Sequence, residues 1–347
     1  MNFRAGVTFQ IALRGIDFVR SRACLFCCFE RGGVNVPASL KPQFSDLYIS
    51  ISPKEGRSMK ASVRFSLFSL CAAAALSATG AYAQDTEFAG PPKVLVIDRE
   101  FTKPGKAGTV HEKSESAFVK AMAAAKWPTN YIAMDSLTGV NRALFIMGYD
   151  TFDAWEKDTA AQAKNAALSA ANDRAWVVDG ELLASTDMSA FAFRPDQSQP
   201  GDIEIAKMRY FDITMYKVKM GHAREWDELV KIYVDGYKKA APDVNWATYE
   251  GMYGANNGGE FLVIQPLKSL AEVDKGFGDN KKFEDAIGES GRKKLAELTA
   301  ACVDSVQENL FHFNPKMSYP SEHFKTVDPD FWKPKVAAAP KPAAPAQ

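Results

Sequence analysis

The chain repeats one pattern of secondary structure twice, and this repeat limits its fold more than any other feature of the sequence. In each half a strand-like segment, residues 93–101 or 208–216, runs into a short turn that contains Gly105 or Gly221. These two turns lie 116 residues apart, and the closing motifs that begin at Phe191 and Phe311 lie 120 residues apart. A separation that changes so little along the repeat indicates that one unit has been duplicated.

The remaining elements occur in the same order in both halves. Hydrophobic spacing of three and four residues predicts helices, and runs rich in β-branched and aromatic residues predict strands. The expected elements are helices at 108–126 and 222–241, strands at 130–137, 142–149, 245–253 and 260–265, and helical stretches at 151–178 and 267–306. Within the last stretch, the sequence Gly276-Phe-Gly278 predicts a break between helices. Each half closes on F-x-F-x-P, which completes a β-α-β-β-α-β unit of the ferredoxin-like, α+β class.

This duplication predicts how the chain is divided. We expect a first α+β repeat at 84–195, a linker at 196–206, a second repeat at 207–320 and a C-terminal segment at 321–347. The end of that segment consists almost entirely of Ala, Pro and Lys. It is too poor in large apolar side chains to form a core, and we expect it to be disordered.

The residues before the first repeat resemble an export signal. From Met59 the chain has a basic start, an uncharged stretch at 65–78 and the small-residue motif Ala81-Tyr82-Ala83. We therefore expect 59–83 to be a signal peptide and 1–58 to be an untranslated upstream extension. The apolar stretch is too short to span a bilayer, so we expect a periplasmic or secreted protein with no membrane span after cleavage.

Charge and cysteine content narrow the class of protein. The chain has 42 basic and 42 acidic residues, but 10 of the basic and 4 of the acidic residues precede Gln84. The remainder carries a net charge of about −6, which disfavours nucleic acid as a partner. Cleavage after Ala83 would leave Cys302 as the single cysteine, so the fold would be held by burial alone, with that thiol buried on a helix.

Paired β-α-β-β-α-β units of this length resemble the dimeric α+β-barrel superfamily, which includes NIPSNAP-like proteins and antibiotic-biosynthesis-type monooxygenases. The resemblance covers residues 93–315. It implies two four-stranded sheets that face each other and form one pseudo-dimeric barrel within a single chain, so that no oligomer is required. Haem-degrading members use a histidine on the second helix of the unit, and neither helical stretch, 151–178 or 267–306, contains a histidine.

One histidine and several aromatic residues of the second half are candidate ligand-binding residues. Phe311 and Phe313 share one face of the closing strand, and His312 lies on the other. If the phenylalanines pack on the helices, His312 faces the space between the sheets. Its counterpart in the first half is Ala192. The amphipathic side chains that could line a pocket for a flat ligand with it are Tyr210, Trp246, Tyr249 and Tyr253. The same side chains also suit an ordinary core.

No motif for a metal or a cofactor occurs in the exported part of the sequence. The other histidines, His111, His222 and His323, have no partner at metal-ligand spacing, and no phosphate-binding glycine loop is present. We therefore expect neither metal nor cofactor.

Two functions remain open at this point. One is an exported protein that binds a small apolar or aromatic ligand, or a protein partner, through the barrel. The alternative is a cofactor-independent monooxygenase-like enzyme that uses His312 and a tyrosine as acid–base groups. The fold cannot decide between them, because one fold supports many functions.

Overall fold

The computed structural model of the chain describes residues 90–254 and 259–333. The expected upstream extension, the signal peptide and the Ala/Pro-rich tail lie outside these residues. Within them, no helix combines the length and the apolar character needed to cross a membrane.

The first half begins with a strand and follows the predicted order of elements. These are β1 (Val94–Thr102), α1 (Thr109–Ala125), β2 (Ile132–Ser136), β3 (Arg142–Tyr149), α2 (Phe152–Lys164), α3 (Ala166–Asp179) and β4 (Leu183–Phe193). Gly105 has a φ of 76° in the turn before α1, a conformation that favours glycine. The side chains of Thr151 and Asn165 accept hydrogen bonds from the first turns of α2 and α3, which fixes where these helices begin.

The second half repeats this order. Its elements are β5 (Tyr210–Val218), α4 (Ala223–Ala240), β6 (Ala247–Tyr253), β7 (Glu260–Leu267), α5 (Ala271–Cys302) and β8 (Val303–Phe313), followed by α6 (Glu322–Val327) and α7 (Pro329–Trp332). α5 is interrupted at Gly288, whose φ is 68°, so it corresponds to α2 and α3 together. Cys302 at its end is buried with a free thiol, as predicted.

All eight strands form one closed antiparallel barrel in the order β1-β3-β2-β8-β5-β7-β6-β4. Each half contributes four adjacent strands, and the halves join where β2 pairs with β8 and where β4 pairs with β6. This arrangement confirms the predicted α+β class and the intramolecular pseudo-dimeric barrel of two ferredoxin-like repeats.

The two halves match in detail as well as in order. The pairing of β1 with β4 shifts between Phe101 and Thr102, and the pairing of β5 with β8 shifts between Lys217 and Val218. These irregularities lie 116 residues apart, the same separation as the two glycine turns. Glu100 of β1 is therefore the structural counterpart of Tyr216 in β5.

Alternation along each strand divides the apolar side chains between the barrel interior and the helix layers. Interior residues of both halves form one cluster, represented by Leu95, Ile97, Leu144, Phe191, Ile213, Leu262, Phe311 and Phe313. On the outer side, α4 and α5 cover the second half through a cluster that contains Tyr216 and Trp226. Smaller clusters lie beneath α1 and α2 in the first half.

The predicted linker is packed against the second half. Gln197, Ser198 and Gln199 are buried. The indole nitrogen of Trp226 donates to the side-chain oxygen of Gln197 at 3.2 Å, and that of Trp246 donates to its backbone oxygen at 3.0 Å. The buried amide and carbonyl groups of this segment satisfy the indole groups of the neighbouring core.

Candidate functional site

His312 lies outside the barrel, so the predicted orientation of the closing strand was wrong. Phe311 and Phe313 belong to the interior cluster, and His312 points to the outer side, where 39% of its side chain is exposed. Its Nε2 lies 3.7 Å from the carboxylate of Asp135. The reversal has a simple cause. Helices cover one side of the sheet and the opposite sheet covers the other, so an apolar pattern alone could not distinguish the two faces.

The four aromatic candidates do not share a pocket with His312 or with one another. Tyr249 is buried in the barrel interior against Phe193, whereas Trp246 is buried in the helix layer against Tyr237. Tyr210 pairs with His312 across strands and is partly exposed on the outer side. Tyr253 is 65% exposed. These residues are therefore divided among the interior, the helix layer and the surface.

The barrel has one end that is filled by apolar side chains from outside the strands. Trp332 of α7 is 2% exposed, packs on Phe313 and donates from its indole nitrogen to the carbonyl of Ala206 at 2.7 Å. Phe324 and Phe331 pack around the same indole. The C-terminal segment and the predicted linker together close this end.

Polar side chains lie at the opposite end, which we call the barrel mouth and define by Arg99, Arg142, Asp187, Ser189 and Asn309. Each lies two residues along its strand from a residue of the interior cluster, or four in the case of Asp187, and therefore faces the same side of the sheet. Arg99 forms an ion pair with Asp187 and donates to Ser189 Oγ at 2.6 Å. The interior face is accordingly polar at the mouth.

Arg142 keeps spare hydrogen-bonding capacity at the barrel mouth. Its guanidinium lies 4.9 Å from the ring centre of Phe311 and 6.0 Å from that of Phe101. One nitrogen donates to the backbone carbonyl of Val140 at 3.2 Å, and within the described part of the chain Arg142 forms no ion pair. Burial and the nearby charge of Arg99 lower its pKa. A guanidinium group beside aromatic rings can bind a planar anion.

A second polar constellation lies in the helix layer of the first half, between β1 and the helices α1 and α3. It consists of Glu100 from β1, His111 and Glu115 from α1, and Asp179 at the end of α3. All four are at most 3% exposed. We call these residues the His111 cluster.

The three carboxylates of the His111 cluster all lie close to one nitrogen, Nε2 of His111. His111 Nε2 lies 2.9 Å from Glu100 Oε2, 3.5 Å from Asp179 Oδ1 and 4.0 Å from Glu115 Oε1. One ligand-type atom from each of the four residues lies within 4.8 Å of the other three. The cluster therefore combines an imidazole with three carboxylates from three elements.

Burial and mutual repulsion shift the protonation of this cluster. Burial alone would lower the pKa of His111, but the close contacts with the carboxylates of Asp179 and Glu100, and their negative charges, raise it to about 10. Burial, followed by the charges of Glu100 and Asp179, raises the pKa of Glu115. Burial also raises the pKa of Glu100, against the opposing effect of His111. The carboxylates together thus favour a positive charge or added protons at this place.

No sequence motif marks this cluster, because its members come from distant parts of the chain. His111 and Glu115 are four residues apart and share one face of α1, which was the one local signal. Glu100 and Asp179 join them only through the packing of the helices on β1. His222 and His323 lie nearer the surface, beside Glu225 and Glu204 respectively.

Comparison with known proteins yields similarities of structure at low sequence identity. No family model and no curated protein sequence matches the chain. A candidate monooxygenase from Fusobacterium nucleatum is 14% identical, with 64% of this chain and 93% of that chain covered and a TM-score of 0.44. An anthrone oxidase-like protein is also 14% identical, with coverages of 69% and 96% and a TM-score of 0.42.

A third similar structure is chlorite dismutase from Candidatus Nitrospira defluvii in complex with imidazole. It is 9% identical, with coverages of 68% and 95% and a TM-score of 0.37. At these identities and scores the similarities carry no information about activity, so function has to be argued from the residues of this chain.

Proposed function

We propose that this protein is an exported binding protein whose barrel mouth takes a small aromatic or apolar carboxylic acid. The observation that carries the proposal is the position of Arg142, a partly buried guanidinium without an ion-pair partner among the described residues, set between two aromatic rings. Guanidinium groups bind carboxylates in a bidentate manner, and aromatic walls suit a flat, apolar body.

The neighbouring residues support an anionic ligand that approaches from the mouth. Arg99 adds a second positive charge, which is only partly offset by Asp187 because 48% of that side chain is exposed to solvent. Asn309 is 5% exposed, and its amide oxygen lies beside Gly139, as does a guanidinium nitrogen of Arg142. With the other end closed by Trp332, a ligand would enter here and leave its carboxylate at the charged rim.

A binding role fits the chain better than the enzymatic alternative. That alternative needs His312 and a tyrosine in one cavity as acid and base. His312 lies on the outer side of the barrel beside the partly exposed Tyr210, Tyr249 lies inside the barrel, and Tyr253 is 65% exposed, so these groups do not converge in one cavity. The proposed function therefore does not include a reaction.

The binding proposal can be tested with benzoate and 4-hydroxyphenylacetate as probes, measured by calorimetry or ligand-observed NMR. We expect Arg142→Gln to weaken binding at least tenfold, because the replacement loses the charged, bidentate contact. Arg174→Gln, which removes an exposed arginine from α3, should bind as the wild type does. Equal affinity for the uncharged analogue benzyl alcohol, unchanged affinity in Arg142→Gln, or no binding of either acid would refute the proposal.

Export rests on residues 59–83, which have the basic, apolar and small-residue regions of a signal peptide. N-terminal sequencing of the protein recovered from the periplasm or medium should find Gln84 or a close neighbour. A stable chain that keeps residues 1–58 inside the cell would contradict both the export and the start at Met59.

A further inference from the structure

The His111 cluster has the composition and the geometry of a metal site. We propose that Glu100, His111, Glu115 and Asp179 bind one divalent transition-metal ion, Mn²⁺ or Fe²⁺ by preference, which ties β1, α1 and α3 together. This site is separate from the barrel mouth, since Glu100 faces the helices and Arg99 faces the interior.

The distances fit a single ion. With bonds of about 2.1 Å, neighbouring ligand atoms around one metal lie about 3.0–3.4 Å apart and opposite ones about 4.2 Å apart. The three distances from His111 Nε2, at 2.9, 3.5 and 4.0 Å, span this range. All four ligand atoms lie within 4.8 Å of one another. The most distant pair would need to approach by a few tenths of an ångström to bind one ion.

Unpaired oxygen atoms point into the cluster. Among the described residues, neither carboxylate oxygen of Asp179 accepts a hydrogen bond, and neither does Oε1 of Glu115. Asp179 is fully buried and Glu115 is 3% exposed. An ionised carboxylate in such a place is unfavourable unless a cation or hydrogen-bond donors satisfy it. Asp179 also ends α3, where the helix dipole disfavours negative charge.

The second half shows that the fold does not require charged residues at this position. The counterpart of Glu100 is Tyr216, and its ring packs 5.2 Å from that of Trp226, a buried residue of the equivalent helix α4. Trp226 in turn packs on Phe261. One half therefore fills the layer with aromatic rings, and the other gathers three carboxylates and an imidazole there, which indicates a ligand specific to the first half.

Charge favours a divalent ion. With three ionised carboxylates and a protonated His111, the cluster would hold two negative charges in a buried place. With a neutral His111 that binds M²⁺, it would hold one. Three oxygen ligands disfavour copper and nickel, and an imidazole disfavours Mg²⁺ and Ca²⁺, so Mn²⁺ or Fe²⁺ fits this set best. Zn²⁺ would compete for the same ligands.

The role of this ion is structural. All four side chains are at most 3% exposed, so a substrate could not reach the metal. A metal that joins a strand to two helices stabilises the native state, because the unfolded chain does not hold the four ligands together.

The proposal is tested on the purified exported protein after removal of metals with a chelator. The metal-free protein is titrated with Mn²⁺, and the EPR signal of the free ion reports how much stays unbound. This titration and elemental analysis should each give about one ion per chain. The melting temperature should rise by several degrees on saturation. Asp179→Asn and Glu115→Gln should each weaken Mn²⁺ binding at least tenfold, whereas Asp173→Asn, an exposed change on the same helix as Asp179, should leave binding unchanged.

Two further results keep the test decisive. Without metal, Asp179→Asn should be at least as stable as the wild type, because it removes a buried carboxylate. If a variant fails to fold, the number of ions bound by the wild type tests the proposal. If the wild type binds none of Mn²⁺, Fe²⁺ or Zn²⁺ and its melting temperature does not change, the cluster shares protons instead and the proposal fails. It fails equally if both variants bind Mn²⁺ as the wild type does.

Discussion

Asp212 places a buried carboxyl on the outer side of β5, near Glu308 of β8. It is 4% exposed, and one of its carboxylate oxygens accepts no hydrogen bond among the described residues. Burial, followed by the charge of Glu308 and a hydrogen bond with it, raises the pKa of Asp212 to about 8. The folded protein thus holds a proton here that the unfolded chain would release near pH 4.

This difference makes the stability contribution of Asp212 depend on pH. The contribution is fully present below the unfolded pKa of about 3.9 and is lost as pH rises through the folded pKa of about 8. We expect Asp212→Asn to raise the melting temperature by several degrees at pH 9 and to change it little at pH 4. Asp235→Asn, on the exposed side of α4, should show no such trend. Melting curves from pH 4 to 9 check this, and an equal effect at both ends would contradict it.

Gly236 and Gly278 both lie within helices, but they differ in how closely other elements approach them. A Cβ on Gly236 of α4 would lie 2.5 Å from Cε2 of Phe283, whose ring is stacked on Tyr233 and Tyr237 at centroid distances of 5.0 and 4.7 Å. A Cβ on Gly278 of α5 would meet nothing within 4 Å. Gly236 therefore lets α4 and α5 approach closely, and Gly278 has no such role.

The same substitution should therefore have opposite effects at the two positions. Gly278→Ala should stabilise the protein by about 0.5–1 kcal/mol through helix propensity. Gly236→Ala gains the same helix propensity but must displace the ring of Phe283, which is stacked on two tyrosines, and this costs about 1–3 kcal/mol. Each kcal/mol corresponds to about 2–4 °C in a domain of this size. Thermal denaturation of the two variants checks this, and a stabilised Gly236→Ala would show that the helices can separate freely.

The order of elements was predictable because apolar spacing and turn glycines are local signals. Their boundaries were less so. Residues 303–306 were assigned to a helix, but they begin β8, and the predicted break at Gly276-Phe-Gly278 lies inside α5. The actual break is at Gly288, where a positive φ interrupts the helix. A pair of glycines suggests a flexible point in the helix, but the packing of α5 against α4 and β8 decides at which glycine the helix is interrupted.

The candidate site was much less predictable than the fold. His111 was visible in the sequence, but its three carboxylate partners are set by how α1 and α3 pack on β1. The residues of the barrel mouth likewise come together only because one face of each strand points into the barrel. Which face does so is decided when the two sheets close into the barrel. Long-range pairing of this kind leaves no periodic trace in the sequence, so the spacing of residues could not reveal it.

At the scale of the molecule, the two halves share one interior. Leu95 and Phe191 of the first half pack in the same cluster as Ile264 and Phe311 of the second. The strands that join the halves pair over short stretches, with Met134 to Ser136 of β2 against β8. Residues beyond β8 also return to the first half, where Ser318 accepts a hydrogen bond from the backbone nitrogen of Ala133.

Neither half should therefore fold alone. Residues 84–200 expressed separately would expose the interior face of four strands and leave β2 and β4 as edge strands without their partners β8 and β6. We expect this half to self-associate, aggregate or stay partly unfolded, whereas residues 84–335 should unfold in one cooperative transition. Sedimentation and denaturant melts of both proteins check this. A first half that is monomeric and folds cooperatively would mean that its interior face needs no partner. The barrel mouth, which takes Asn309 from the second half and Arg142 from the first, would then have no reason to form as one site.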